Sequence, residues 1–517
     1  MKKRVFIKNA AVLTCSSLVL RFAGIVFKIW LASRIGAAGM GLYQLVFSVF
    51  MLAGSFTQSG IPTAVTRLVA NETALGSRAG IKRIMRAAFF ISTALGAVTG
   101  IILYFFASPI ARLITGDSGA VLSLKIIASC FVFMGASSVI RGYFIARRKA
   151  SPGAFAQLFE QAVRITVAAA LLKVFIGKGP PVCCAAVFAG DAAAETFCAA
   201  FLYFRYRKDS SDLPEGKNSY EKNPAARIVS VSLPLAGGRY LNSLLRTAES
   251  LLVPHALAVF SAGGALAVFG MIKGMALPIL FFPSVLLGAV SVLMIPEMSE
   301  ARERKMNGLV RSCAESILAA GAVGGFLFSA LFAAGGYRLG ALLYKSREVG
   351  FLLTALAPIV PLMYIDSLCD GLLKGLDQQK FTFRVSVCDS GLRLLLIYPC
   401  LTRFGINGFI GIMYFSNLFT ALLNSRRLIK ISGAVLDAQR NVLSPALCAF
   451  GTTLLTKVFL DFFALSDLVY IILLAGISIP LYYALVYRLG CMQSITAGRI
   501  RPLKKYAAKR ATVSLIK

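Results

Sequence analysis

Histidine is almost missing from this chain: one in 517 residues, His255. A single imidazole argues against His-based acid–base catalysis and against a His-ligated metal. Acidic residues are few, 22 Asp+Glu against 55 Lys+Arg. No Gly-x-x-x-x-Gly-Lys-Ser/Thr stretch occurs, so the loop with which ATPases cradle phosphates is absent and ATP hydrolysis is not expected. Eleven cysteines are present without forming a framework. Cys15, Cys130, Cys198, Cys388 and Cys448 are scattered through apolar stretches, where Cys behaves as a small hydrophobe. Cys183-Cys184 is the one close pair and reads as packing.

Apolar residues dominate instead. They make up 57% of the chain, with mean hydropathy +0.76, which defines a polytopic membrane protein. A net charge of +33 would suit nucleic acid, but most Lys and Arg lie in short loops between apolar runs, so no nucleic-acid partner is expected. Fourteen segments are long enough to span: 7–32, 41–66, 84–107, 121–144, 153–176, 182–204, 228–254, 264–293, 309–334, 351–373, 383–402, 406–425, 441–462 and 467–488. Met1-Lys2-Lys3-Arg4 before the first run resembles a signal peptide. The run carries Arg21 and Lys28 and continues to about Leu31, so it reads as a retained first helix.

Loop charge predicts orientation. The even-numbered gaps hold Arg78, Lys82, Arg83 and Arg86, then Arg147, Arg148 and Lys149, and later Arg426, Arg427 and Lys430. The odd-numbered gaps are nearly free of cations, except for Arg338, Lys345 and Arg347 after the ninth segment. The positive-inside rule then places both termini in the cytoplasm.

The two halves repeat. Arg141-Gly142 and Glu160-x-x-x-Arg164 in the first half match Lys374-Gly375 and Asp389-x-x-x-Arg393 about 230 residues later. Six helices per half is an even number, so the halves share an orientation. This predicts two six-helix lobes, residues 1–204 and 228–431, related by a pseudo-two-fold axis along the membrane normal around a central cavity. Residues 205–227 form a polar cytoplasmic linker, and 432–517 hold helices thirteen and fourteen and a basic tail.

Cations at membrane depth are costly and usually face a cavity or a partner. Arg21 and Lys28 are spaced i, i+7, as are Arg239 and Arg246, so each pair lies on one helix face; Lys273 follows in the next segment. Together they suggest a site for an anion inside the bilayer. The competing structural reading is internal pairing, with Glu249 three residues from Arg246. Glu160/Arg164 and Asp389/Arg393 read as i, i+4 ion pairs. Asp191/Glu195 and Asp366/Asp370 have the same spacing with no evident cation nearby, so they are candidates to share a proton or hold a cation. Asp389 is the leading candidate for ion coupling. Gly270, Gly274, Pro278 and Pro283 mark a bending element around Lys273.

Several stretches resemble the flippase branch of the multidrug/oligosaccharidyl-lipid/polysaccharide exporter superfamily, the branch of stage V sporulation protein B and polysaccharide-biosynthesis proteins. They are Arg34-Ile35-Gly36-Ala37-Ala38-Gly39-Met40-Gly41-Leu42-Tyr43-Gln44, Ser59-Gly60-Ile61-Pro62-Thr63-Ala64, and Arg141-Gly142-Tyr143-Phe144 with Ser151-Pro152 and Glu160 to Arg164. The chain departs from that pattern at Ile145-Ala146, where the family tends to carry Gln-Gly. The resemblance implies an all-α fold with lobes alternately open to each side, no organic cofactor, and Na⁺ or H⁺ as a coupling ion. It also implies a lipid-linked saccharide as cargo, and a lipid-tail groove at helices thirteen and fourteen, for which the alternative is that they simply pad the bundle. A drug antiporter of the same superfamily is a rival, but cationic drugs favour acidic sites. A membrane-embedded glycosyltransferase is another, yet the longest external gap, Gly335 to Gly350, offers only Glu348 as a base.

Overall fold

The computed structural model describes residues 2–491 except 59, 117, 212–222, 261–262, 285–286, 289–297 and 436; of 2–15, 150 and 235 it describes the backbone alone. Every element among the described residues is helical. In chain order they are α1 (Lys2–Gln58), α2 (Ile61–Leu75), α3 (Arg78–Phe105), α4 (Ala107–Thr115), α5 (Val121–Ala128), α6 (Cys130–Ala146), α7 (Ala150–Phe175), α8 (Pro180–Ser211) and α9 (Pro224–Phe260). After them come α10 (Ala265–Phe269), α11 (Leu277–Phe281), α12 (Asn307–Tyr344), α13 (Arg347–Leu356), α14 (Val360–Gly375), α15 (Gln379–Ser432), α16 (Ser444–Asp461) and α17 (Asp467–Arg488). The all-α membrane architecture read from hydropathy is what the structure has.

Nine segments among the described residues are apolar and long enough to cross a membrane, against fourteen expected. Part of the difference is bending. α1 and α15 have 57 and 54 residues, far beyond the roughly 20 that one crossing needs. Each contains one non-helical glycine, Gly36 at φ 71° and Gly405 at φ 55°, where only a residue without Cβ turns easily. The other part is polarity. α7 and α9 fall outside the nine, and they carry Glu160, Gln161 and Arg164, and Arg227, Arg239, Arg246 and Glu249. The residues that mark a functional reading are the ones that mask these helices as spans.

The chain forms two compact units, Met1–Gly270 and Met271–Lys517. In the first, Ile61, Val65, Leu68 and Ile84 pack against Ile140 and Tyr143 of α6. The start of the second sequence half, α9 and α10, belongs to this unit. The expected linker is shorter than composition suggested: α8 runs on to Ser211 and α9 starts at Pro224, and the middle, 212–222, lies outside the described residues. The reason is local. Asp209 near the end of α8 accepts from Tyr143 Oη at 2.7 Å, and Lys149 and Arg147 also reach it, so the last turns are held against α6.

In the second unit Leu318, Leu368, Leu372 and Leu428 form one core. Another joins α12 to the last two helices, through Val323, Leu327 and Ala330 against Ala449, Tyr482 and Val486. Tyr482 Oη donates to the Val323 carbonyl at 2.9 Å. Arg338, one of the cations in the gap after the ninth expected segment, reaches Asp461 at 3.6 Å and Asp467 at 3.7 Å, and lies over the Tyr470 ring at 3.7 Å. The basic tail beyond residue 491 and the end of the eighth segment at 289–293 lie outside the described residues.

Candidate functional site

α6, α7 and α8 bring five ionisable side chains together. Arg141 Nη2 donates to Glu160 at 2.7 Å and to Cys198 Sγ at 3.2 Å. Arg164 donates to Glu160 at 2.9 Å, to Gln161 at 2.7 Å, and through Nε to Asp191. Glu195 follows Asp191 by one turn on the same face of α8, and both are buried. Two guanidinium groups thus face three carboxylates. Asp191 Oδ2 and Glu195 Oε2 are buried with no hydrogen-bond partner.

The Glu160/Arg164 pair stands as expected. The expectation that Asp191/Glu195 lack a cation does not: Arg164 bonds Asp191 across 27 residues of sequence, because α7 and α8 pack side by side. Asp366/Asp370 needs the same correction. Asp370 pairs with Lys374, one turn on, and Asp366 accepts from Asn424 Nδ2 at 2.7 Å. Asp389 pairs with Arg393 at 2.9 Å and accepts from Ser416 Oγ at 2.6 Å. The repeat therefore diverges in detail. Arg141 reaches the acid of the next helix, whereas its counterpart Lys374 turns back to its own.

The anion-site candidates are placed differently. Arg21, Arg239 and Arg246 are exposed and Lys28 is half-buried; all four belong to the first unit. None of the four has an ion-pair partner among the described residues, and Arg246 does not pair with Glu249. α9 packs on the second half of α1, where Thr247 Oγ1 donates to the Ser48 carbonyl at 3.1 Å and Tyr240 meets Phe56 at 4.8 Å. Those contacts are beyond Gly36, so they do not bring Arg239 and Arg246 to Arg21 and Lys28. Lys273, half-buried, sits in a π-helical turn, Gly270–Ala276. This irregular turn falls inside the predicted bending element, and π-turns often mark functional positions.

The sequence profile of the polysaccharide biosynthesis protein family matches residues 6–302. The chain belongs to that family. The chain is 26% identical over 466 residues to stage V sporulation protein B of Bacillus subtilis (strain 168), covering 87% of this chain and 89% of that one. Its fold is similar to that of the lipid II flippase MurJ in an inward closed conformation, with TM-score 0.71 at 11% identity, over 92% of this chain and 98% of that one. An inward-facing multidrug resistance MATE family transporter of the MOP superfamily also matches, with TM-score 0.58 at 13% identity, over 81% and 100%. The family member is a multi-pass membrane protein with the fold of that transporter superfamily, as the motifs implied.

Those motifs have structural work in this family member. Gly36 makes the bend in α1, and five residues on, a Cβ at Gly41 would overlap the Leu266 carbonyl of α10. Gly142 lies against the Pro62 backbone, and Thr66 Oγ1 donates to the Gly142 carbonyl at 3.1 Å, which joins two of the motifs.

Proposed function

We propose that this chain is a flippase for a polyprenyl-diphosphate-linked saccharide, a lipid II-like peptidoglycan precursor. It acts in the bacterial cytoplasmic membrane by alternating access of the lobes 1–204 and 228–431, with both termini cytoplasmic. The observation that carries the reading is a contrast among arginines. Arg141, Arg164 and Arg393 are paired with carboxylates, while Arg21, Arg239 and Arg246 have no carboxylate partner among the described residues. A diphosphate crossing the hydrocarbon layer needs replacement hydrogen bonds, and guanidinium groups match phosphate oxygens in fork geometry. Each charged contact contributes about 1.5–3 kcal/mol, so several of the candidates Arg21, Lys28, Arg239, Arg246 and Lys273 matter more than any one.

The cargo is drawn outward partly by the membrane potential, roughly 2.3 kcal/mol per charge per 100 mV. A Na⁺ or H⁺ entering as the carrier resets adds to this. Asp191 and Glu195 are the better candidates to hold it, since each keeps a buried oxygen without a partner. Asp389, Asp366 and Asp370 are already engaged by Arg393, Asn424 and Lys374.

Proteoliposome flipping of lipid II, compared with undecaprenyl-linked teichoic and capsular precursors, tests the assignment. Arg21→Ala and Arg239→Ala should abolish transport in protein that still folds and inserts. Undiminished flipping by both variants, or export of a cationic drug without flipping of any lipid-linked saccharide, overturns the reading.

A further inference from the structure

The first unit contains an apolar groove of about 860 Å³ between the first half of α1 and α7. Phe22, Val26 and Trp30, one turn apart, form one wall; Ile165, Ala169 and Leu172 form the other. Phe22 is 58% and Val26 49% exposed, so the groove opens sideways to the bilayer. Its polar lining is Arg34 and Lys173, and no acidic residue lines it. Each basic residue lies on the C-terminal side of its wall. With both helices running outward, as loop charge predicts, both cations sit at the external end.

Length selects the occupant. Phe22 to Arg34 spans about 18 Å at 1.5 Å per residue, close to half of a roughly 30 Å hydrocarbon core. The groove therefore fits the chain of a single-leaflet lipid and is too short for a long polyprenyl tail. It is also separate from the anion-site cations. At about 100° per residue, Arg21 and Lys28 project from the side of α1 roughly opposite Phe22, Val26 and Trp30.

We propose that this groove holds one acyl chain of an anionic glycerophospholipid from the outer leaflet, with the phosphate between Arg34 and Lys173. Two cations without an acid select net negative charge over a zwitterion. The bound lipid ties α1 to α7 immediately before the bend at Gly36.

The chain carries its own probe, because Trp30 is its single tryptophan. Purified full-length protein is titrated in mixed micelles with phosphatidylglycerol or phosphatidylcholine brominated on the acyl chain, and Trp30 quenching is followed. Brominated phosphatidylglycerol should quench at about tenfold lower mole fraction. The Arg34→Gln/Lys173→Gln variant, changed at exposed positions, should lose that preference and keep unspecific quenching. Ala169→Phe, which fills the groove, should weaken quenching by both lipids. Equal quenching by the two lipids in the unaltered protein overturns the proposal in favour of ordinary bilayer contact. Displacement of phosphatidylglycerol by equimolar undecaprenyl phosphate overturns it in favour of the cargo tail. Because the test needs no transport, its failure leaves the flippase reading standing, and the reverse.

Discussion

Replacing Arg164 with Gln removes the residue that holds two carboxylates at once. Its guanidinium bonds Glu160 and Asp191, whose side chains are 12% and 7% exposed. Removing one partner of a buried ion pair costs about 3–5 kcal/mol, because a charge is left uncompensated. Here Glu160 keeps Arg141 at 2.7 Å and Arg164 is itself 23% exposed. Both facts put the expected loss at the low end, about 3 kcal/mol. Asp191→Asn alone should cost less, since Arg164 keeps Glu160. The double variant Arg164→Gln/Asp191→Asn removes the stranded charge along with its partner. Its loss should fall short of the sum of the single losses by about 1–3 kcal/mol, as for residues sharing one network. Reversible unfolding in mixed micelles, monitored for all four proteins, gives the cycle. Additivity within about 0.5 kcal/mol, the range of independent sites, would refute the bridge between α7 and α8.

Three further outcomes follow from other parts of the fold. Gly41→Leu should destabilise by at least about 1–3 kcal/mol through overpacking, read as a lower midpoint in the same unfolding assay; an unchanged midpoint would mean that α1 and α10 do not meet there. Asp389→Asn should leave the Na⁺ and pH dependence of flipping unchanged, because Asp389 is engaged by Arg393 and Ser416; altered dependence would return it to the coupling site. Reporter fusions at residue 2 and at the C-terminus should both read cytoplasmic, and an external C-terminus would change the number of crossings.

The ion pairs of one helical turn were legible, and the cross-helix ones were not. Glu160/Arg164 and Asp389/Arg393 follow from i, i+4 spacing. Arg141–Glu160 and Arg164–Asp191 depend on how α6, α7 and α8 pack, which no spacing encodes. Asp370–Lys374 was within reach, since it has the same spacing, but Lys374 had been read only as part of the basic-Gly marker. That the chain is a series of apolar helices long enough to span was readable because the bilayer fixes their length, although nine such segments among the described residues stand against the fourteen expected. The breaks at Gly36 and Gly405 were readable as well, since they fall in the gaps 33–40 and 403–405 between expected segments; spacing did not show that each is a bend at a single glycine within a continuous helix. Around Lys273 composition indicated irregular backbone, and the π-turn is the form it takes.

The charge cluster at Arg338 also constrains how a chain of this kind can be shortened. α16 and α17 lie outside the internal repeat, yet they supply Asp461 and Asp467 to an arginine that belongs to it. Lipid tails can replace their apolar contacts with α12 at little cost, since hydrocarbon is as apolar as leucine. Lipid tails cannot replace the two carboxylates or the Tyr470 ring. A chain without α16 and α17 that kept Arg338 would leave its guanidinium without these partners, and a lipid phosphate would be a natural replacement. Removing α16 and α17 from this chain therefore calls for replacing Arg338 in the same change.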